Sequence, residues 1–195
     1  MKKFIKRTFD LVCVFFASIV FSPFFILVYI AIKMEDGGPA IFQQERIGYK
    51  GKPFMLYKFR SMKVDAEKGG KPQLWAGEED ERLTKVGKFI REHHLDELPQ
   101  FWNIWKGDMS FVGYRPERQY FIDKIMAENP DYTKLYAMRP GVFSNATLYN
   151  GYTDTMEKML TRLDMDLEYL ENHSLWTDIV IIFKTGVSIL TGKKF

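Results

Sequence analysis

Cysteine is nearly missing from this chain of 195 residues: Cys13 is the only one, which rules out an internal disulfide and a cysteine metal cluster. A lone cysteine fits a reducing compartment. Histidine is almost as scarce, with His93, His94 and His173 alone. An excess of one charge is lacking too, since 28 Lys and Arg against 25 Asp and Glu leave a formal net charge of +3. No basic stripe with interleaved aromatics marks a nucleic-acid surface, so no nucleic acid is expected as a partner. Internal repeats and low-complexity tracts are absent. The N-terminal apolar run is longer than the h-region of a signal peptide, and no small-residue cleavage site follows it.

What the chain has in plenty is aromatic and aliphatic surface. Seventeen Phe, ten Tyr and four Trp are many for a length that suits one domain plus an appendage. Amphipathic rings favour the membrane interface, so a surface lying on lipid stands beside a packed core as their destination. Leu11 to Ile32 is apolar apart from Cys13, Ser18, Ser22 and Tyr29. At about 1.5 Å per residue it could just cross a bilayer core of roughly 30 Å. Two features oppose a straight span. Pro23 sits mid-stretch, where it removes a backbone hydrogen bond and crowds the Ile19 carbonyl; Ser22 can satisfy the carbonyl so freed, and a kink is predicted. Basic residues also occupy both flanks, Lys2, Lys3, Lys6 and Arg7 before, Lys33, Arg46, Lys50 and Lys52 after, so the positive-inside rule asks both ends to be cytoplasmic. Residues 1–36 are therefore read as a kinked, re-entrant membrane helix, and residues 37–195 as a membrane-associated domain.

Gly37, Gly38 and Pro39 stop that helix. Ala40 to Ile47 and Pro53 to Phe59, separated by GYKGK, predict a β-hairpin. The polar stretch from Val64 to Arg82 reads as a surface loop. Thr84 is a candidate cap for a helix carrying Val86, Phe89 and Ile90. Further helices are predicted over Tyr120 to Ala127, Tyr132 to Met138, Leu160 to Asn172, with Asp164, Asp166 and Glu168 on its polar side, solvated or else in structural ion pairs, and Leu175 to Leu190, whose apolar face suits either core packing or interfacial lipid contact. The fold class is α+β, mainly helical, with a small hairpin and amphipathic interfacial helices.

The segment Arg91 to Glu117, REHHLDELPQFWNIWKGDMSFVGYRPE, sets the carboxylates Asp96 and Glu97 between Arg91 and Arg115. Proline is tolerated in the first turn of a helix, and Phe101, Trp102 and Trp105 follow Pro99 at helical spacing, so the pair is predicted at a helix start. Free N–H groups and the helix dipole there keep a carboxylate ionised and attract phosphate. Such a carboxylate can attack phosphorus and form an acyl phosphate. The competing reading makes Asp96 a simple cap and leaves Glu97 in solvent. On an unbroken helix His93 would share a face with the pair, and the three could then hold a transition metal, with His173 as the remaining candidate ligand. Carboxylates facing a diphosphate suit Mg2+ better. Lys58 and Arg60 close the hairpin as KFR, by itself a solvated strand edge. Arg139 in the Arg-Pro-Gly turn is a candidate phosphate or headgroup contact, or simply solvated.

The run LDELPQFWNIWKGDMSFVGYRPE resembles the signature of the bacterial sugar transferases, the monotopic phosphoglycosyl transferases that start glycan assembly on a polyprenol carrier. The likeness extends back to FQQERIGYKGKPFMLYKFRSM and forward to Arg139-Pro140-Gly141 and LDMDLEYLENHSLWTDIVIIFKT, so it covers nearly the whole chain. It implies transfer of a sugar phosphate from a UDP-sugar to polyprenyl phosphate, with UMP released, by a catalytic domain on the cytoplasmic face of the bacterial inner membrane. Asp96 would be the nucleophile, and Glu97 the helper for the metal or the acceptor proton. The two together would hold the Mg2+ cofactor. Arg115 would bind substrate phosphate, supported by Lys58, Arg60 and Arg91, and the re-entrant helix would bend at Ser22 and Pro23. A homo-oligomer is left open. The chain departs from the family pattern at His94, usually Ser, at Tyr114, usually Pro, and after Gly141, where VFSNATLYNGY replaces a stretch close to TGLAQVNGR. Those changes bear on sugar specificity more than on reaction type. Two rivals stand beside this reading: a Zn2+- or Mn2+-dependent phosphohydrolase using His93 with the dyad, and a membrane scaffold that performs no chemistry.

Overall fold

The structure, a computed structural model, describes residues 3–66, 80–151, 153 and 155–191. Its N-terminal element, α1 (Lys3–Asp36), is a single helix 34 residues long, and among the described residues the one helix long and apolar enough to cross a membrane. Pro23 cannot donate to the Ile19 carbonyl, and the Ser22 hydroxyl donates to it instead at 2.9 Å, as expected of that pair.

α1 does not stand apart from the rest of the chain. Its buried positions Asp10, Val14, Val28 and Ile32 fall on one stripe, and Phe21 and Phe25 on the same side pack against Phe101 and Phe59, ring centroids 6.2 and 4.7 Å apart. Polar anchors fix the N-terminal half. The Lys6 ammonium reaches Asp178 at 2.7 Å, Arg7 donates to the carbonyls of Ile104 and Trp105, and buried Asp10 accepts from the Ser110 hydroxyl and the Phe111 N–H. At the other end Glu35 accepts from the N–H groups of Lys85 and Val86. Basic residues predicted as topology signals thus also dock the helix. The opposite face leaves Phe15, Phe16, Ile19, Val20, Ile26 and Leu27 exposed.

The predicted hairpin is present. Strands β1 (Ile41–Ile47) and β2 (Pro53–Phe59) pair antiparallel, Ile41 opposite Phe59 and Ile47 opposite Pro53, around a 3₁₀ turn at Tyr49–Gly51. Helix α2 (Lys85–Glu92) is capped by Thr84, whose hydroxyl accepts from the Gly87 N–H at 2.9 Å. A 3₁₀ turn, Leu95–Glu97, leads to α3 (Gln100–Lys106). Most of the loop predicted between Val64 and Arg82 lies outside the described residues.

Two short strands and one short helix were not predicted. The Arg-Pro-Gly turn feeds a short strand β4 (Gly141–Phe143), which pairs parallel with β3 (Ser110–Val112). The backbones meet so closely that a Cβ on Gly113 would lie 2.4 Å from the Arg139 oxygen, and one on Gly141 2.1 Å from the Gly113 nitrogen, so only glycine fits. Helix α5 (Asn145–Asn150), capped by Ser144, follows at once. Of the remaining helices, α4 (Gln119–Glu128) and α7 (Leu175–Leu190) match expectation, and α6 (Met156–Asn172) starts earlier than Leu160 because Thr155 caps it. The segment Pro130–Ala137 winds as 3₁₀ turns instead of the α-helix predicted there. On α7, Ile181 is buried while Trp176, Ile179, Phe183 and Val187 are exposed, so its apolar face serves the core on one side and faces outward on the other.

Asn103, fully buried on α3, ties the hairpin to that helix. Its carboxamide accepts from the Tyr57 N–H at 3.1 Å and donates to the Met55 carbonyl at 2.6 Å, imitating a further strand beside β2. Asn103→Leu has similar volume and leaves both backbone groups buried without partners, at about 1–3 kcal/mol each. The variant should melt well below the unmodified chain in detergent micelles; an unchanged melting temperature would show that the hairpin is held by other contacts.

Candidate active site

Three helical pieces meet at the carboxylate pair. α2 ends at His93, and His94 adopts the left-handed region at φ 54°, so the helix is broken before the dyad. Asp96 and Glu97 fall in the 3₁₀ turn, and Pro99 takes the N-cap position of α3 without a side-chain hydrogen bond. Asp96 is therefore not the cap of α3, which removes the simplest structural role for it.

The break also dismantles the predicted face with His93, whose ring nitrogen turns back onto the Phe89 carbonyl at 2.8 Å and whose ring lies 4.3 Å from that of Phe89. Among the described residues no group of three or more His, Cys, Asp or Glu is placed to hold a metal ion. What the site offers is two adjacent carboxylates, and such a pair fits Mg2+, which takes one or two protein carboxylates and completes its shell with water and substrate phosphate.

β2 supplies the counter-charge. The Lys58 ammonium lies 2.6 Å from Glu97 Oε1 and 3.6 Å from Asp96 Oδ2, and Arg115 approaches Glu97 Oε1 at 3.5 Å. Burial pushes the Asp96 carboxyl above its ordinary value against the pull of Lys58, and repulsion from Glu97 adds to the rise. Burial acts the same way on Glu97, but Lys58 and Arg115 outweigh it and hold that carboxyl at about 2. The environment thus separates the pair into a fixed anion, Glu97, and a more basic carboxyl, Asp96, which is the division of roles expected of two neighbouring acids in one site. Burial lowers the His94 imidazole below its usual value.

The dyad opens onto a cavity of about 630 Å3 lined also by Lys58, Arg91 and Arg115, and further along by Ser144, Thr147 and Arg162. Of the predicted phosphate ligands, Lys58, Arg91 and Arg115 are brought together here, and Arg60 and Arg139 are not. Arg60 is turned toward the end of α1, where it forms a two-pronged ion pair with Asp36 and donates to the Pro39 carbonyl. Its buried charge is committed to the junction of anchor and hairpin. Arg139 donates to the Gly107 carbonyl at 2.7 Å and covers the Tyr49 ring.

The sequence reading missed the support behind Arg115. Glu117 is buried between Arg46, at 3.0 Å, and Arg162, at 2.7 Å, and Arg162 also reaches Thr153. Asp164 and Glu168 are exposed as predicted, but Asp166 is buried: α6 turns it toward Arg162 and the Arg115 backbone. Its i, i+4 spacing from Arg162 was the available signal. Burial drives the Asp166 carboxyl up to about 7, and its Oδ1 has no hydrogen-bond partner among the described residues.

The sign of that shift fixes a pH dependence. The unfolded chain releases the Asp166 proton near its ordinary value while the folded one keeps it to about pH 7, so stability declines as pH rises through that window. Asp166→Asn stays neutral throughout and should gain on the unmodified chain by on the order of 2 kcal/mol between pH 5 and pH 8. Melting curves of both at the two pH values would measure it, and a constant offset would refute the assignment.

Comparison with known proteins came out consistently. Residues 1–192 match the family model described as bacterial sugar transferase. The chain is 41% identical over 97% of its length to a UDP-N-acetylgalactosamine-undecaprenyl-phosphate N-acetylgalactosaminephosphotransferase of Aeromonas hydrophila. It is 38% identical over 95% of its length to a UDP-glucose:undecaprenyl-phosphate glucose-1-phosphate transferase of Caulobacter vibrioides, and 39% over 95% to an enzyme of the same description from Escherichia coli. The chain spans 44%, 70% and 40% of the lengths of these three relatives.

Proposed function

The chain belongs to the bacterial sugar transferase family, and from that premise we propose that it moves a sugar 1-phosphate from a UDP-sugar to undecaprenyl phosphate through a covalent intermediate on Asp96. The observation that carries the reading is the dyad itself: two adjacent carboxyl groups, both within reach of the Lys58 ammonium, facing Arg91 and Arg115 across one cavity.

Asp96 attacks the β-phosphorus of the donor; the bond to the bridging oxygen breaks, and UMP leaves with both electrons. The aspartyl phosphosugar so formed is an acyl phosphate. A phosphate oxygen of the acceptor then attacks the same phosphorus, which expels the Asp96 carboxylate and yields the polyprenyl diphosphate sugar. Arg115 and Arg91 bind non-bridging phosphate oxygens, Arg being suited to paired contacts. Lys58 holds Glu97 charged and steadies Asp96 when it becomes a leaving group. Asp96 and Glu97 would also hold Mg2+, which when bound neutralises the diphosphate.

In this reading the reaction takes place at the cytoplasmic face of the bacterial inner membrane, with α1 re-entrant. Domain contacts recur along α1 at Lys6, Asp10, Val14, Ser18, Phe21, Phe25, Val28, Ile32 and Asp36, about one helical turn apart throughout. A helix crossing a bilayer would need roughly 20 residues free of the aqueous domain. The outward apolar faces of α1 and α7 are the surface that would sink into lipid.

Asp96→Asn keeps the shape and removes the charge, so UMP release should fall by roughly three orders of magnitude or more, and Glu97→Gln should also be severely impaired. Incubation with the UDP-sugar alone should yield one equivalent of UMP and a protein heavier by one phosphosugar. Release of UMP only when undecaprenyl phosphate is present, with no adduct by mass spectrometry, would favour direct transfer. For topology, a cysteine at position 2 in a Cys13→Ser background should resist a membrane-impermeant reagent until the cytoplasmic side is opened; labelling from the periplasm would mean that α1 spans.

A further inference from the structure

Beyond the dyad the cavity continues as an apolar slot between α1 and α7. Val12, Cys13 and Phe16 line one side of it, and Ile182, Gly186 and Ile189 the other. At Gly186 nothing lies within 4 Å of the place a Cβ would take, so open space begins at the helix backbone. The rim on α1 is apolar and faces outward, Val12 and Phe16 being 50% and 62% exposed, and the outer face of α7 beside it carries the exposed Phe183 and Val187. Lys58, Arg91, Arg115 and the dyad close the inner end. The compartment therefore suits a molecule with an anionic head and an apolar tail.

A UDP-sugar is polar throughout and gains nothing from such walls. A second apolar groove lies against α1, beside Ser22, Phe25, Trp102 and Trp105, but neither the dyad nor Lys58, Arg91 or Arg115 lines it. Phe21, Leu98 and Phe101 line both spaces and separate them.

The geometry points to the slot between α1 and α7 as the subsite for the first isoprene units of the polyprenyl phosphate acceptor, which enters sideways from the bilayer with its phosphate leading toward Asp96. This rests on the phosphoglycosyl transfer reading above and adds the route and the groups that recognise the lipid. A cavity of about 630 Å3 is of the size that encloses one drug-sized ligand, so it cannot take a long polyprenyl chain together with a nucleotide sugar. The distal isoprene units stay in lipid, and recognition is confined to those nearest the phosphate.

The test uses the full chain in nanodiscs, with undecaprenyl phosphate and whichever UDP-sugar gives UMP with the unmodified protein. Gly186→Leu fills the slot where there is room for a side chain, and Phe16→Asp puts a charge at its exposed rim. Each should raise KM for undecaprenyl phosphate by at least about tenfold, while the stoichiometric UMP burst from UDP-sugar alone stays within about twofold. Trp102→Leu, in the second groove, should leave that KM within about twofold. Loss of the burst in Gly186→Leu would make the slot a donor site, and a raised KM for Trp102→Leu alone would send the lipid through the other groove; either result overturns the inference. Photocrosslinking keeps the slot testable if no UDP-sugar gives UMP, an outcome that refutes the reaction but not the subsite. Benzoylphenylalanine at position 12 should capture radiolabelled undecaprenyl phosphate in membranes, and capture of phospholipid alone overturns the assignment.

Discussion

Two carboxyl groups on adjacent residues, shut into a cavity with largely apolar walls, repel each other and resist ionisation. The Lys58 ammonium is what allows them to coexist. Almost everything nearby can be traced to the need to place that one cation. Lys58 rides on β2, β2 is positioned by pairing with β1 and by the carboxamide of Asn103, and Asn103 belongs to the helix that the dyad itself leads into. The loop is closed on itself: the acids and their counter-charge share one small rigid unit. His94 contributes by its backbone, since a helix continuing through it would carry the acids out of reach of β2.

A second charge cluster stands behind the first. Glu117 between Arg46 and Arg162 anchors the segment that leaves β3 and carries Arg115 toward the dyad. Removing one member would leave an uncompensated buried charge, so these residues act as a set. Asp166, next to Arg162 and largely deprived of solvent, keeps its proton more easily than a surface acid and so is only partly charged near neutral pH.

Local signals carried the sequence reading where they governed the structure. Two short runs flanking GYKGK indicated the hairpin to within a residue, and Thr84 indicated a helix start, because strand pairing across a short turn and N-capping are decided within a few residues. The dyad was legible as chemistry, although its 3₁₀ turn was not, since the left-handed backbone of His94 is set by how α2 and α3 pack. The parallel pair of β3 and β4 left no such trace: each strand is three residues long and its partner is some thirty positions away. Arg60, expected at substrate phosphate, and Asp166, expected in solvent, are both settled by contacts remote in sequence: Asp36 at the end of α1 holds the one, and the Arg115 segment lies against the other. The stripe of α1 that docks on the domain was likewise masked by a helix apolar on every side.

The anchoring of α1 has a consequence for how the protein is made. Lys6 and Asp178 are 172 positions apart, and Asp10 finds Ser110 and Phe111 only after about a hundred more residues have been synthesised. At roughly 5–20 residues per second, α1 waits on the order of 10–30 s between leaving the ribosome and meeting the last of its protein partners. Lipid is available to it at once. On the re-entrant reading proposed above, the helix would meet lipid while still carrying unpaired polar groups, and its orientation would be chosen before the catalytic unit exists.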